Sequence, residues 1–222
     1  MAPLVTVTGP DDQGVATLAL TRAEKRNALS IALRDEMSDA LDLLAADVAC
    51  LVVVIAAGGA VFSAGFDLDE FTQPELADQL WASSDRWHRT LLEFPLPLVA
   101  SVNGSAYGGG FDLAVMCDVR IAAESARFAH PEHAFSQVVY GPLHDLVGGS
   151  VARDLALTGR VIDAVEAHAC GLVNRVVPDH DIDRVAHEVA HQIAEAPRDV
   201  LLAMKAKITR RAGIEPGATL DL

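Results

Sequence analysis

Residues 97–114 read PLVASVNGSAYGGGFDLA, and this stretch decides the fold. Its apolar run over residues 98–102 is typical of a buried strand. The run leads into a loop that ends in a glycine triplet at 108–110, and the apolar residues that follow predict a helix to about residue 117. The sequence therefore predicts a strand, a glycine-rich loop and a helix in direct succession.

The same order of elements occurs earlier in the chain. Residues 51–55 read LVVVI, a second continuous apolar run, and a glycine-bearing loop over residues 58–66 follows it. Repeated strand–loop–helix units indicate an α/β architecture. Around them, the patterning predicts strands at 3–9, 14–20 and 119–123, a helix capped by Ser30, helices near 146–157, 163–170, 182–196 and 199–211, and a loose tail over 213–218.

Composition and charge limit the classes of function. The chain has 222 residues, of which 51% are hydrophobic, enough for one sizeable core. Its formal net charge is −14, from 17 Lys and Arg against 31 Asp and Glu, so it would repel a phosphate backbone and we expect no nucleic-acid partner. No apolar run is long enough to span a bilayer, no secretory signal begins the chain, and the three cysteines form no C-x-x-C pair. We expect a cytoplasmic protein without membrane contact.

The two glycine-bearing loops are the candidate binding elements. Glycine tolerates unusual backbone dihedral angles and lets a ligand approach backbone amides closely. The second loop also opens a helix, whose first N–H groups lack a partner inside the helix and suit an oxygen that becomes negative during a reaction. A tight turn before a packed helix is the alternative interpretation of the triplet alone. Neither of the phosphate-binding patterns G-x-x-x-x-G-K-[ST] and G-x-G-x-x-G is present.

Two carboxylates, Asp112 and Glu132, are the candidate acid–base pair. Asp112 lies in the first turn of the helix, and Glu132 follows 20 residues later in a segment that we expect to be extended. One group can take a proton while the other gives one, as α-proton abstraction or water addition requires. Taken alone, Asp112 could instead favour the helix dipole, and Glu132 could be a solvated loop acid. G-x-S-x-G does not occur, so we expect no serine nucleophile, and we also expect no metal site.

Four segments together resemble the crotonase, or enoyl-CoA hydratase/isomerase, superfamily from about residue 4 to residue 210. They are LTRAEKRNAL at 20–29, FSAGFDL at 62–68, PLVASVNGSAYGGGFDLA at 97–114 and GLVNRVVP at 171–178. The resemblance implies an α/β fold of the ClpP/crotonase type, a spiral of repeated ββα units with a shortened C-terminal helical region. It divides the chain into a core domain over residues 1–200 and a truncated C-terminal helical segment and tail over residues 201–222.

The resemblance also implies a function. It indicates an acyl-CoA-processing enzyme, an enoyl-CoA hydratase or isomerase, with coenzyme A as part of the substrate and no separate cofactor. The backbone amides of Phe66 and Gly109 would bind the thioester oxygen and stabilise an enolate, with Asp112 and Glu132 as acid and base. The coenzyme would lie near the first motif and the first glycine loop, at Lys25, Arg26, Ala28, Ala64 and Leu68. A homotrimer or hexamer is the expected assembly.

Departures from the family pattern leave the reaction open. Asp112 stands where hydratases of the family have glutamate, which resembles the dienoyl-CoA isomerase branch. Tyr140 occupies the position of that branch's third acid, and we expect it to contact the substrate. The segment 133–150 lacks the family's usual glycine-rich stretch. A specialised acyl-CoA hydrolase, decarboxylase or C–C lyase of the same fold is therefore an alternative, as is a non-catalytic CoA-binding member.

Overall fold

Strands and helices alternate along the computed structural model, which describes residues 3–214 and 217–222. The strands are β1 (Val5–Thr8), β2 (Val15–Leu20), β3 (Val52–Ala57), β4 (Val61–Ser63), β5 (Leu98–Val102), β6 (Ser105–Tyr107), β7 (Val119–Ala123), β8 (Arg127–Ala129), β9 (Ile162–Asp163) and β10 (Arg175–Val177). The helices are α1 (Ile31–Ala46), α2 (Leu68–Phe71), α3 (Ala77–Glu93), α4 (Gly109–Val115), α5 (Gly141–Thr158), α6 (Ala164–Ala169), α7 (Ile182–Ala194) and α8 (Arg198–Ala212). Short 3-10 helices lie at Ala23–Lys25, Pro74–Leu76, Pro131–Ala134, Asp179–Asp181 and Thr219–Asp221.

Within these described residues the strands form two sheets. A six-stranded sheet has the order β1-β2-β3-β5-β7-β10, and a four-stranded sheet has the order β4-β6-β8-β9. Only the outer pairs β1–β2 and β8–β9 are antiparallel. The chain therefore alternates between the sheets: β3 and β4, β5 and β6, and β7 and β8 each place a long strand in the first sheet and a short strand in the second. A helix follows each pair, which confirms the predicted spiral of ββα units.

The interior of the six-stranded sheet explains its apolar runs. Val52, Val53, Val54 and Ile55 of β3 are all buried, because this parallel strand is covered on both faces. One face joins the larger core, which includes α1, α3 and α4, and α7 packs on the other face against β3, β5 and β7. Alternate residues of the strand thus enter two separate clusters, and a continuous apolar run is the consequence.

The predicted elements are confirmed with shifted ends, but each predicted glycine-bearing loop contains a short strand, β4 or β6. Two further segments also differ from the prediction. Patterning did not predict α3 as a helix, although Leu80, Trp87 and Leu91 recur on its buried side. The segment around Glu132, expected to be extended, is the 3-10 helix Pro131–Ala134, because Pro131 fits the first position of a helical turn.

The end of the chain is packed against the core where it is described. Of the tail expected to be loose, residues 215 and 216 lie outside the described residues. Beyond them, the backbone N–H of Thr219 donates to Asp85 Oδ1 at 2.7 Å, and the N–H of Tyr140 donates to the carbonyl of Leu222 at 3.1 Å. The predicted domain boundary at residue 200 falls inside α8, and the division into core and C-terminal segment stays a prediction. None of the described helices is long and apolar enough to cross a membrane.

Replacing the capping serine of α1 provides a test of the local structure. Ser30 Oγ accepts a hydrogen bond from the backbone N–H of Leu33 at 3.3 Å, which satisfies one of the free amides at the helix start. We expect Ser30→Ala to lower the free energy of unfolding by about 1 kcal/mol. Ser30→Thr, which keeps the hydroxyl, should lose less. Urea denaturation measures both; equal losses for the two variants would contradict a capping role.

Candidate active site

A cavity of about 250 Å³ opens where the two glycine-bearing loops meet. Its floor is formed by the loop after β4 and the start of α4, and the short segment after β8 closes one side. Most of the surface is apolar, and the polar exceptions include the two candidate carboxylates. The lining residues are Ala64, Gly65, Phe66, Leu68, Phe71, Trp81, Gly108, Gly109, Asp112, Pro131, Glu132, Phe135, Ser136, Gln137, Val139 and Thr219.

The two loops are in direct contact at Phe66 and Gly109. A Cβ atom added to Gly109 would lie 2.6 Å from Phe66 Cδ1, closer than real side chains pack. The backbone of Phe66 is held from the other side by a parallel bridge to Leu29, whose N–H donates to the carbonyl of Gly65 at 2.8 Å. Glycine at position 109 therefore makes room for the Phe66 ring against the start of α4.

The amides of Phe66 and Gly109 are available to a ligand. Across residues 3–214 and 217–222, neither N–H donates a hydrogen bond to a protein acceptor. Gly109 is the first residue of α4, where a free N–H and the positive end of the helix dipole coincide. Two free amides on touching loops match the arrangement that binds a developing oxyanion. Their role in binding the thioester oxygen stays a prediction.

A buried arginine supports the ring of Phe66 from below. The Arg34 guanidinium carbon lies 4.4 Å from the ring centroid, and its nitrogens donate to the carbonyls of Leu29 and Leu80. Burial lowers the pKa of Arg34 to about 10, with nearby carboxylates opposing that shift. The cation thus ties α1, α3 and the first glycine loop together beneath the cavity.

Asp112 and Glu132 meet at one end of the cavity, together with His130. Asp112 Oδ1 lies 2.8 Å from His130 Nε2, and a carboxylate oxygen of Glu132 is within 4.8 Å of both partners. Gly108, with φ of 53° and ψ of −128°, turns the chain so that Glu132 Oε2 would lie 3.1 Å from any Cβ there. A conformation that only glycine adopts readily therefore makes room for the second acid.

The environments of the two carboxylates separate their pKa values. Burial raises the pKa of Glu132 to about 7, and the nearby charge of Asp112 adds to that rise. Burial also raises the pKa of Asp112, but the hydrogen bond from His130 and the nearby His88 imidazole outweigh it, so this pKa is lowered overall. Near neutral pH, Asp112 is ionised while Glu132 exchanges its proton. Opposed pKa shifts in one cavity are typical of an acid–base pair.

The cluster of Asp112, His130 and Glu132 is compact enough to admit a metal ion. The 2.8 Å hydrogen bond between Asp112 and His130 already accounts for its geometry, so a metal is not required to explain it. The expectation of no metal site stays a prediction.

The residues expected to contact coenzyme A fall into three groups. Ala64 and Leu68 line the cavity. Lys25 and Arg26, both exposed, and half-buried Ala28 lie beside that loop, since the N–H of Ala64 donates to the carbonyl of Arg26 at 3.0 Å. Tyr140 differs: it is not among the lining residues, and its ring centroid lies 5.5 Å from that of His144. Its expected contact with the substrate stays a prediction, and the neighbouring Val139 is the residue that lines the cavity.

Several site residues were missed by sequence reasoning. His88 of α3 reaches to within 3.9 Å of Asp112 Oδ2, and Thr219 enters the cavity from the C-terminal segment. The aromatic side chains of Phe71, Trp81 and Phe135 form the apolar wall. A signal existed for His88, a polar residue on the buried side of an amphipathic helix. No local pattern pointed to Thr219 or Phe135.

Comparisons with known proteins agree with this geometry. The sequence pattern of the Enoyl-CoA hydratase/isomerase family matches residues 11–219. A probable enoyl-CoA hydratase of Mycobacterium bovis is 35% identical over 204 residues, which cover 90% of this chain and 79% of that protein. A hydroxycinnamoyl-CoA hydratase-lyase of Pseudomonas fluorescens is 34% identical over 205 residues, covering 87% and 74%. The crystal structure of an enoyl-CoA hydratase from Bacillus anthracis superposes with a TM-score of 0.89 at 31% identity, covering 96% of this chain and 84% of that one.

The contact between the two loops can be tested by adding one methyl group. Gly109→Ala would force apart the Phe66 ring and the start of α4, so we expect turnover of an enoyl-CoA thioester to fall by about 10²-fold, as when one oxyanion donor is lost. Gly58→Ala is the matched control, because a Cβ there meets its nearest atom at an ordinary 3.5 Å. Steady-state kinetics on both variants decide; an active Gly109→Ala enzyme would rule out the assigned loop contact.

Proposed function

The chain belongs to the enoyl-CoA hydratase/isomerase family, and we propose that Phe66, Gly109, Asp112 and Glu132 are the residues that carry its reaction. Family membership makes the protein an acyl-CoA enzyme of the hydratase/isomerase type. The observation that supports the residue assignment is the placement of two free amides and two unlike carboxylates around one cavity.

In hydration, the thioester carbonyl oxygen of a 2-enoyl-CoA lies between the Phe66 and Gly109 amides. These amides polarise the conjugated system and stabilise the enolate that forms. Asp112 accepts a proton from a water molecule while the water oxygen forms a bond to the β-carbon. Glu132 then gives its proton to the α-carbon, which collapses the enolate. Proton exchange between the carboxyl groups and solvent restores the starting state.

In isomerisation, the same site needs only one of the acids. Ionised Glu132 removes a proton from the α-carbon of a 3-enoyl-CoA and returns it to the γ-carbon, so that the double bond moves into conjugation. The enolate is held by the same two amides. The pKa of about 7 suits Glu132 to either role, since a group with that value is readily both protonated and deprotonated near neutral pH.

The coenzyme is assigned to the exposed side of the first glycine loop. Lys25 and Arg26 supply positive charge there for phosphate groups, within a protein whose net charge is −14. Ala28, Ala64 and Leu68 would contact the remainder of the coenzyme, and Tyr140 lies one residue from Val139 in the cavity wall. A homotrimer or hexamer without a separate cofactor, located in the cytoplasm, completes the proposal.

A second candidate is hydration of the double bond of an aryl-substituted enoyl-CoA, followed by C–C cleavage. The cavity wall supports it: the Phe66 and Phe71 rings lie 6.4 Å apart and the Phe71 and Trp81 rings 6.2 Å apart, a surface on which an aryl group can pack. One relative is named as a hydroxycinnamoyl-CoA hydratase-lyase. Crotonyl-CoA and hydroxycinnamoyl-CoA should be compared as substrates, with products identified by mass spectrometry. An aldehyde product would favour the second candidate, and hydration alone the first.

Removing each carboxylate separately tests the assignment. We expect Asp112→Asn and Glu132→Gln each to lower kcat for crotonyl-CoA by about 10²–10⁴-fold, the usual contribution of a general acid or base. For 3-enoyl-CoA isomerisation, only Glu132→Gln should have an effect of that size. Loss of absorbance of the conjugated thioester measures hydration. Wild-type protein that leaves 2-enoyl and 3-enoyl thioesters unchanged would overturn the proposed function.

The pH dependence separates the two reactions. Hydration needs protonated Glu132, so kcat/KM should fall as the pH rises through about 7, the raised pKa of this group. Isomerisation needs ionised Glu132, so its kcat/KM should rise through the same range. Rate profiles between about pH 5 and pH 9 with both substrates provide the measurement. The change of kcat/KM with pH near 7 should disappear in Glu132→Gln. If it persists in that variant, another titrating group causes it.

A further inference from the structure

His88 is a fully buried histidine that the chemistry above does not use. It lies on the buried side of α3, with its ring centroid 4.7 Å from that of Trp87. Its Nε2 atom lies 3.9 Å from Asp112 Oδ2 and has no hydrogen-bond partner among the described residues. A buried polar atom without a partner is destabilising, so its position against one oxygen of Asp112 requires an explanation.

The other ring nitrogen of His88 shows where the protons lie. Nδ1 is 3.0 Å from the carbonyl oxygen of Ser84, which can only accept, so Nδ1 carries a proton. Thr219 Oγ1 lies 3.1 Å from the same nitrogen and itself donates to Asp85 Oδ1 at 2.8 Å. If Nε2 carried no proton, its lone pair would face the carboxylate oxygen of Asp112. A proton on Nε2 would instead point toward that oxygen.

The other oxygen of Asp112, Oδ1, is bound by a second histidine. His130 Nε2 donates to Oδ1 at 2.8 Å, so a histidine stands against each oxygen of this carboxylate. The hydrogen bond from His130 and the nearby His88 ring also lower the pKa of Asp112 against the effect of burial. The other charged groups around His88 are Asp85, linked through Thr219, Glu132, reached through Asp112, and Arg34, which lies against the Phe66 ring.

We propose that His88 is a positioning residue for Asp112: it holds a proton against Oδ2 and thereby keeps this carboxylate ionised and oriented beside Glu132. The imidazolium charge offsets the charge of Asp112, which would otherwise make Glu132 hold its proton more tightly. Two carboxylates can then occupy one apolar cavity with different protonation. The inference rests on the proposed function only for the participation of Asp112 and Glu132 in turnover; the ion pair is a property of the unliganded protein.

The ion pair is tested first in the wild-type chain without substrate. Nitrogen-15 NMR of the imidazole rings and carbon-13 NMR of the carboxyl groups, recorded near neutral pH, report the protonation of each group. We expect His88 to carry protons on both nitrogens and Asp112 to be ionised. A His88 ring with a bare Nε2, or a protonated Asp112, overturns the proposal. This experiment needs neither activity nor a folded variant.

Two substitutions at His88 then separate charge from packing. His88→Asn keeps a donor toward the Ser84 carbonyl but leaves nothing against Asp112 Oδ2, whereas His88→Gln places a neutral amide near the position of Nε2. In His88→Asn, the Glu132 carboxyl titration midpoint should move up by about one pH unit. Below that midpoint, kcat for 3-enoyl-CoA isomerisation, which needs ionised Glu132, should fall about tenfold, the equivalent of that shift, with KM within about twofold. His88→Gln, which restores a donor but no charge, should leave the midpoint raised and the isomerisation kcat lowered.

His168→Asn is the matched control, because His168 also bonds a backbone carbonyl, that of Val173 at 2.9 Å, but does not line the cavity. It should change neither the Glu132 midpoint nor kcat. An unchanged midpoint in folded His88→Asn overturns the proposal. If the NMR pattern is as expected but no enoyl-CoA is turned over, the proposed function fails while the ion pair stands.

Discussion

The close approach of two glycine-bearing loops is the constraint on which the site depends. Phe66 and Gly109 come from chain segments that follow β3–β4 and β5–β6, and these strands pair in parallel in both sheets. Parallel pairing brings the ends of neighbouring strands to the same edge, so the loops that follow them meet. The missing side chain at Gly109 then lets the backbone of α4 contact the Phe66 ring. The two free amides and the cavity beside them follow from that contact.

The cavity that results is apolar, and this determines the chemistry of its charged groups. An ionised carboxylate is costly in such surroundings unless it is hydrogen-bonded or paired. Asp112 obtains a hydrogen bond from His130 and a charge partner in His88, whereas Glu132 has no comparable partner among the described residues and keeps its proton up to a higher pH. Two similar side chains are thus given different roles by their partners, and not by their own chemistry.

The chain as a whole is negatively charged, whereas binding an anionic ligand requires local positive charge. A net charge of −14 keeps polyanions away from the surface at large. A ligand with phosphate groups would therefore depend on a small region of positive charge, and Lys25 and Arg26 provide one beside the first glycine loop. Inside the cavity, buried Arg34 under Phe66 and the histidines around Asp112 add positive charge close to where an enolate would form.

Much of the fold was readable from the sequence because its signals are local. The buried strands β3 and β5 appear as continuous apolar runs, Ser30 caps α1 as expected, and the glycine triplet opens α4. Four motifs in order were enough to indicate the family and, with it, Asp112 and Glu132 as the candidate acids. Element ends were less certain, and α3 was not predicted, since its mixture of polar and apolar residues has a clear meaning only once the helix has something to pack against.

The sequence by itself determined the architecture, the two loops and the two candidate acids, because strand burial, helix caps and glycine turns depend on neighbours along the chain. Only the tertiary structure decided which groups surround those acids. His88, Asp112 and Thr219 come from α3, α4 and the C-terminal segment, and no spacing in the sequence relates them. The tertiary structure likewise brought Phe135 into the cavity wall. Protonation in a buried site depends on distances of a few ångströms between such remote residues, and folding alone sets those distances.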